Sequence, residues 1–105
     1  MDPLPPTSAE LASLLRRVRV AVEEERVRVT DYAREGAAAL DWNEWDIIEQ
    51  IRELTAPDWL RCEQSTDPDR PSLIWVFEPD YWDGGKLWIR LVERSGVLVV
   101  SFHRG

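Results

Sequence analysis

Cysteine, histidine and methionine each occur only once in this 105-residue chain. The single cysteine, Cys62, excludes an internal disulfide, as is typical of proteins from a reducing cytoplasm. One cysteine and one histidine are too few ligands for a structural zinc site. No apolar run approaches the ~20 residues of a membrane span, and the first ten residues lack the pattern of a signal peptide. We therefore expect a cytoplasmic protein with no membrane association, metal or cofactor.

Basic residues are scarce relative to acidic ones, with 13 Lys and Arg against 20 Asp and Glu and a net charge of −7. This balance argues against a general nucleic-acid binder, which is normally basic. The charge is unevenly distributed, however. Residues 1–60 hold thirteen acids and seven bases, whereas residues 84–105 hold one acid and four bases. The acidity belongs to the N-terminal part, and the C-terminal segment is locally basic.

The N-terminal half has the signals of three helices. Residues 1–6 contain three prolines and are expected to form a flexible arm. Residues 7–105 are too few for two cores and are expected to form a single domain. Capping patterns that start helices occur at Thr7–Glu10, at Thr30 or Asp31, and at Asp41–Glu44.

The second half has the signals of strands. Apolar or alternating runs of strand length occupy residues 27–30, 73–77, 86–93 and 97–103. Turn-rich loops cover residues 65–72 and 79–85, and in the second loop Tyr81 and Trp82 are expected at the surface. The order of elements predicts an α+β fold in which N-terminal helices pack on a small antiparallel sheet that ends in a β-hairpin.

The two faces of this hairpin differ in chemistry, because side chains alternate along a strand. One face is apolar and is predicted to be buried: Leu87, Ile89, Leu91, Leu98, Val100 and Phe102. A two-residue turn at Ser95-Gly96 pairs Trp88 with His103 and Arg90 with Ser101 on the other face. An even-numbered loop is expected, because a three-residue loop would place Arg90 beside the apolar set.

The mixed face of the hairpin has two interpretations. It is either an exposed sheet face that only confers solubility, or a site. The second interpretation has a coherent chemistry: arginine holds phosphate through paired hydrogen bonds, tryptophan stacks on a base, and histidine moves protons.

Several motifs resemble the MqsR family of toxins from bacterial type II toxin–antitoxin systems. They are I-W-V-F-E-P at 74–79, the G-G loop, L-W-I-R at 87–90 and V-L-V-V-S-F-H at 97–103, with V-R-V-T at 27–30 and L-T-A-P-D-W at 54–59 upstream. The resemblance covers roughly residues 10–105. It implies a compact RelE-like fold, a metal-independent endoribonuclease that cleaves mRNA, free or on the ribosome, through the RNA 2′-hydroxyl, and a cognate antitoxin partner.

The resemblance also implies site residues. The family's basic residue after the third helix falls on Arg61, its tyrosine on Trp88 and its lysine on His103. Its glutamine falls on Val76, and Glu78 stands where related sequences often carry lysine. On this basis the expected catalytic residues are His103, Arg61 and Arg90, and the expected RNA-binding residues are Trp88, Lys86 and Ser101.

Two other functions stay open at this point. One is a protein-binding module that keeps the fold without catalysis, which the substitutions at Val76 and Trp88 favour. The other is a nuclease that depends on a metal held by carboxylates, since the chain has many acids but no spacing that marks a site.

Overall fold

The computed structural model describes residues 3–66, 68–69 and 72–105, so the predicted turn-rich loop at 65–72 lies partly outside the described residues. The helices are α1 (Ser8–Glu23), α2 (Asp31–Ala38) and α3 (Glu44–Arg52), followed by a 3₁₀ turn at Ala56–Asp58. The strands are β1 (Val27–Val29), β2 (Trp59–Gln64), β3 (Leu73–Phe77), β4 (Leu87–Glu93) and β5 (Val97–Arg104). The predicted α+β fold is confirmed.

The five strands form one mixed sheet in the order β1-β5-β4-β3-β2. Strands β2 to β5 run antiparallel, and for β3, β4 and β5 this arrangement was expected. The short β1 is the exception, because it pairs parallel with β5 through the partners Val27 and Val97. Strand β2 was not predicted from the sequence, since its residues do not alternate cleanly between apolar and polar and are only partly buried.

The helix starts follow the capping rules, with one shift. Thr7 and Glu10 form the predicted capping box, each side chain accepting from the other residue's backbone N–H. The predicted start of α3 at Asp41 is wrong, because Asp41 has a left-handed φ of 60° and lies in the preceding turn. Asn43 and Asp46 form the capping box of α3 instead.

Helices α1 and α3 contribute to the core on one face of the sheet. The largest fully buried side chains of this core are Leu14, Val18, Ile47, Ile51, Leu54, Phe77, Leu87, Ile89, Leu91, Val99 and Phe102. The ion pair between Arg17 of α1 and Glu93 of β4, 2.7 Å from Nε to Oε2, ties this helical layer to the hairpin. In the part of the chain that the structure describes, no helix is long and apolar enough to cross a membrane.

The hairpin between β4 and β5 combines a three-residue loop with a β-bulge. Glu93 pairs with Val97, so the loop has three residues and the expectation of an even number is wrong. The register shifts between Arg90 and Leu91, which leaves Val100 as an extra residue on β5. A bulge of this kind changes the alternation by one position.

The bulge changes which residues of β5 are buried. Val97 and Val99 lie in the core, and the predicted core residues Leu98 and Val100 are only half-buried. Beyond the bulge the pairing returns to the predicted register. Trp88 therefore faces His103, and Arg90 faces Ser101, as the sequence analysis predicts.

Helix α2 packs directly against the backbone of β5. A Cβ atom at Gly36 would lie 1.9 Å from the Phe102 carbonyl oxygen and 3.2 Å from the His103 Cβ. Only glycine permits this approach. Strand β1 pairs only with residues 97–99 of β5. Helix α2 lies alongside the rest of β5, which carries His103. A helix in this position covers a strand edge that would otherwise be unpaired.

The loop between β3 and β4 places its two aromatic residues differently. Trp82 is exposed, as predicted, with 84% of its surface accessible. The expectation that Tyr81 also lies at the surface is wrong, because its ring packs 5.8 Å from that of Trp42 and it is 9% exposed.

Candidate functional site

Four predicted site residues come together on the sheet face opposite the helical core. The rings of Trp88 and His103 stack with centroids 6.3 Å apart and an angle of 18° between their planes. The guanidinium carbon of Arg61 lies 5.3 Å from the centre of the Trp88 ring, and that of Arg90 lies 5.6 Å from it. These distances are those of cation–π contacts. We call these four residues, Arg61, Trp88, Arg90 and His103, the Trp88 cluster.

The sheet register explains why these residues meet. Val76 of β3 pairs with Arg61 on one side and with Arg90 on the other, so the three residues form one row across the sheet. Trp88 is two residues before Arg90 on the same face of β4, which brings its ring to both arginines. The fully buried Val76 lies between the two arginines. This is the position at which the resemblance described above implies a glutamine.

The carboxylate of Glu63 links the two arginines. It accepts hydrogen bonds from Arg61 Nε at 2.8 Å and from Arg90 Nε at 3.1 Å. The hydrogen bond from Arg90, with a further contribution from Arg61, holds the pKa of Glu63 below its ordinary value. Glu63 is therefore ionised at neutral pH and neutralises part of the positive charge of the Trp88 cluster.

Sequence reasoning missed Glu63, although a signal was present. Arg61 and Glu63 are two residues apart, and that spacing places them on one face of a strand. The signal could be used only if residues 59–64 were recognised as a strand. The cysteine between them, Cys62, is partly buried, and burial raises the pKa of its thiol. A thiol with a raised pKa is a poor nucleophile at neutral pH.

The imidazole of His103 is oriented by the backbone of the next residue, Arg104. Its Nδ1 lies 3.0 Å from the Arg104 carbonyl oxygen. A carbonyl oxygen only accepts, so a hydrogen bond here requires Nδ1 to carry the proton. In the neutral ring, Nε2 is then the unprotonated nitrogen and can accept a proton.

Ser101 is positioned beside the Trp88 cluster but lies beneath the surface. It is 3% exposed, and its hydroxyl has no hydrogen-bond partner among the residues that the structure describes. An unpaired buried hydroxyl costs on the order of 1–3 kcal/mol. A direct contact between Ser101 and RNA would require a neighbouring side chain to move.

Lys86 lies just before β4 and forms an ion pair with Asp80. The hydrogen bond to Asp80 raises the pKa of Lys86, and the charges of Glu78 and Asp58 act in the same direction. The structure thus places this predicted RNA-binding residue in an acidic neighbourhood at one end of the hairpin. Within residues 3–66, 68–69 and 72–105, no group of three or more His, Cys, Asp or Glu side chains is arranged to hold a metal.

A comparison with protein-family models identifies the family of the chain. The family model for the MqsR toxin, described as "Motility quorum-sensing regulator, toxin of MqsA", matches residues 12–104. No curated protein matches the chain. The matched range includes every residue of the Trp88 cluster and extends over all the strands.

Proposed function

Because the chain belongs to the MqsR toxin family and is therefore a toxin of a toxin–antitoxin system, we propose a specific activity for it. This activity is metal-independent endoribonuclease cleavage of mRNA. The substrate is mRNA, free or on the ribosome. The observation that carries the proposal is the Trp88 cluster, in which a stacking ring, two guanidiniums and an imidazole meet on an open sheet face. The cognate antitoxin is its protein partner.

Cleavage uses the RNA's own 2′-hydroxyl as the nucleophile. His103 Nε2 accepts the proton of this hydroxyl, because Nδ1 is engaged with the Arg104 carbonyl. The 2′-oxygen then attacks the adjacent phosphorus and displaces the 5′-oxygen, which leaves a 2′,3′-cyclic phosphate and a free 5′-hydroxyl. The leaving oxygen takes its proton from water, since the chain has no second histidine.

The guanidiniums of Arg61 and Arg90 stabilise the additional charge on the phosphorus oxygens in the transition state. Each uses its Nε for Glu63, and its Nη groups are the donors we assign to phosphate. Trp88 holds the two guanidiniums and the imidazole together and offers an aromatic surface for a base. In this proposal Lys86 assists RNA binding at the end of the hairpin, and the 3% exposed Ser101 assists it only once a neighbouring side chain has moved.

The first experiment measures cleavage of RNA by the purified toxin with and without a chelator. We expect unchanged cleavage in the chelator and a cyclic phosphate on the product. His103→Ala should lower kcat by a factor of about 10²–10⁴, the usual contribution of one general base. Arg61→Ala should also lower kcat, whereas the matched control Arg52→Ala, an exposed arginine on α3, should not.

The alternative is a protein-binding module without catalysis. The observation that favours it is the pairing of Glu63 with both arginines, which reduces their charge. Absence of cleavage by the wild-type protein, together with intact antitoxin binding, would select this alternative. Cleavage by folded His103→Ala at the wild-type rate would show that His103 is not the base.

A further inference from the structure

Arg28, in the middle of β1, is an exposed arginine outside the Trp88 cluster. It pairs with Leu98 of β5. The valines on either side of both residues belong to the helical core or pack against it. Because side chains alternate along a strand, Arg28 and Leu98 lie on the opposite face of the sheet. This is the face that carries the Trp88 cluster.

The end of the hairpin orients the Arg28 side chain. Trp88, Arg90 and Val92 alternate along one face of β4, and Arg94 follows the strand at the next position of this alternation. Arg28 Nη2 donates a hydrogen bond to the Arg94 carbonyl oxygen at 3.2 Å. This bond uses one of the five N–H donors of the guanidinium. Among the residues that the structure describes, no carboxylate is paired with Arg28.

The sheet register gives the distance between Arg28 and His103. Leu98, the partner of Arg28, pairs with Val92, and His103 pairs with Trp88 four residues away on β4. At about 3.3 Å per residue and about 4.8 Å between strands, the two Cα atoms are about 14 Å apart. The guanidinium is directed to Arg94, away from His103. Arg28 therefore reaches a phosphate other than the one that is cleaved.

The carboxylates close to Arg28 in the sequence or in the sheet have other partners or positions. Glu24 and Glu93 form ion pairs with other arginines, and Glu93 does so with α1 on the helical face. Asp69, on the loop before β3, is also engaged. Glu25 lines a groove together with residues of α1 and α3. The positive charge of Arg28 is therefore available to an anion on the face of the Trp88 cluster.

An apolar strip separates Arg28 from the Trp88 cluster. It consists of the half-buried Leu98 and the buried Val92, which pair across the hairpin. Sugar and base edges can lie over such a strip, while phosphates bind the cations at its two ends. We infer that Arg28 is a second phosphate-binding residue, so that the RNA runs along the hairpin from His103 toward the Ser95-Gly96 turn. This inference rests on the proposed ribonuclease function.

The test is steady-state cleavage of a single-stranded RNA oligonucleotide taken from a mapped cleavage site. One neutralised phosphate contributes a slope of about 0.7 in log affinity against log salt, so Arg28→Ala should raise KM about fourfold at roughly 0.15 M salt and about tenfold at roughly 0.04 M. Its kcat should change little, because this contact is equal in the ground and transition states. Arg28→Lys keeps the charge and should retain most of the affinity.

Arg16→Ala is the matched control. Arg16 is an exposed arginine on α1, on the helical side of the sheet, and it has no ion pair among the described residues. Its loss changes the net charge by the same amount and should leave KM unchanged. Thermal unfolding of each variant verifies that it is folded. If Arg28→Ala loses stability, Arg28→Gln takes its place, because glutamine keeps a donor for the Arg94 carbonyl without the charge.

A second set of substrates identifies the phosphate that is bound. Each oligonucleotide carries one uncharged methylphosphonate linkage, placed at successive positions away from the cleaved bond. At one position the wild type should lose as much affinity as Arg28→Ala loses on the unmodified RNA. The two changes together should add no further loss, because each removes the same contact. Arg16→Ala combined with any linkage should show only the loss that the linkage causes.

Three results would overturn the subsite while leaving the ribonuclease function intact. The first is an equal KM for the wild type and Arg28→Ala at both salt concentrations. The second is a loss in Arg28→Ala that adds fully to the loss at every linkage. The third is weaker antitoxin binding by Arg28→Ala with an unchanged KM, which would assign this arginine to the protein interface.

The inference and the ribonuclease proposal fail in different ways. If the wild type binds RNA without cleaving it, the same variants are compared by their Kd for a mixed-sequence single-stranded RNA. A salt-dependent loss in Arg28→Ala but not in Arg16→Ala then supports the subsite while the catalytic proposal fails. If the wild type neither binds nor cleaves RNA, both are overturned.

Discussion

At the scale of single residues, the carboxylate of Glu63 occupies both guanidiniums of the site in the absence of RNA. A phosphate that binds these arginines must share or displace it. Glu63 therefore opposes RNA binding by its charge while it fixes the geometry of the arginines. These two effects are separable, because glutamine keeps an oxygen acceptor and removes the charge.

We predict that Glu63→Gln lowers KM for RNA about fivefold, the effect of removing roughly 1 kcal/mol of competing charge. The matched control is Glu93→Gln, which removes another carboxylate paired with an arginine, outside the site. Steady-state cleavage measures both variants. A higher KM for Glu63→Gln would contradict the prediction and would identify Glu63 as a positioning residue.

The same variant has a second readout, which is stability as a function of pH. The pKa of Glu63 is lowered in the folded protein by Arg90 and Arg61. Its stabilising contribution is therefore present above the pKa of the unfolded chain and is lost as the pH falls through the folded value. Urea unfolding from about pH 7 to about pH 3 should show wild type more stable than Glu63→Gln at neutral pH, with the difference disappearing in acid. A difference independent of pH would contradict the lowered pKa.

At the scale of elements, the contact of α2 with β5 depends on a single missing side chain. Alanine at an exposed helix position normally stabilises by about 1 kcal/mol relative to glycine. Gly36→Ala should instead destabilise by about 1–3 kcal/mol, because its Cβ would overlap the Phe102 carbonyl oxygen. The shift of β5 would also displace His103, so kcat should fall.

Thermal unfolding and cleavage measured on the same Gly36→Ala sample test this prediction. Glu35→Ala is the control, because Glu35 is exposed on the same helix and its side chain faces solvent. We expect the control to keep both its stability and its activity. An unchanged or raised stability of Gly36→Ala would show that α2 can move away from β5 at no cost.

The hairpin shows how far the sequence could predict the elements. Alternation identified both strands and the pairs Trp88–His103 and Arg90–Ser101, because the chemistry of the two faces is so different. It could not predict the bulge at Val100, since residues 97–100 are all apolar and either register buries apolar side chains. The errors in loop length and in the bulge compensate, so these two pairs were predicted correctly although the buried residues in the first half of β5 were not.

Two other elements depended on information that a single sequence does not contain. The parallel pairing of β1 with β5 joins residues far apart in the chain, and no local pattern specifies it. Strand β2 does not alternate cleanly between apolar and polar residues. Glu63 was therefore not predicted as a site residue, although the resemblance identified Arg61 two residues before it. The capping rules predicted the start of α1 at Thr7 correctly and limited the start of α2 to Thr30 or Asp31, of which Thr30 is the cap.

At the scale of the whole molecule, the charge is divided between an acidic helical half and a hairpin with excess base. A protein with a net charge of −7 can bind RNA only over a small area where cations dominate. The cations of the proposed site are Arg61 and Arg90, which share one carboxylate, and Lys86, which already has an acidic partner. The contact with phosphates should therefore be confined to two or three groups.

We predict a shallow salt dependence of RNA binding as a result. For single-stranded RNA, each neutralised phosphate contributes a slope of about 0.7 in the logarithm of affinity against the logarithm of salt concentration. Two or three contacts give a slope of about −1.4 to −2.1. Measuring KM at several salt concentrations provides this slope, and Arg61→Ala should reduce its size by about 0.7. A slope twice as steep would contradict a contact limited to these cations.

The parallel pairing of β1 with β5 also has a consequence for how the toxin is made. The ribosome synthesises β1 early, but the partner of β1 is the last strand of the sheet, about 70 residues later. Until residues 97–104 have emerged, β4 lacks its hairpin partner and Trp88 lacks His103. Such long-range closure is slow and cooperative. On the proposed function, a polypeptide released before β5 is made would therefore lack the base and should not be toxic to the cell that produces it.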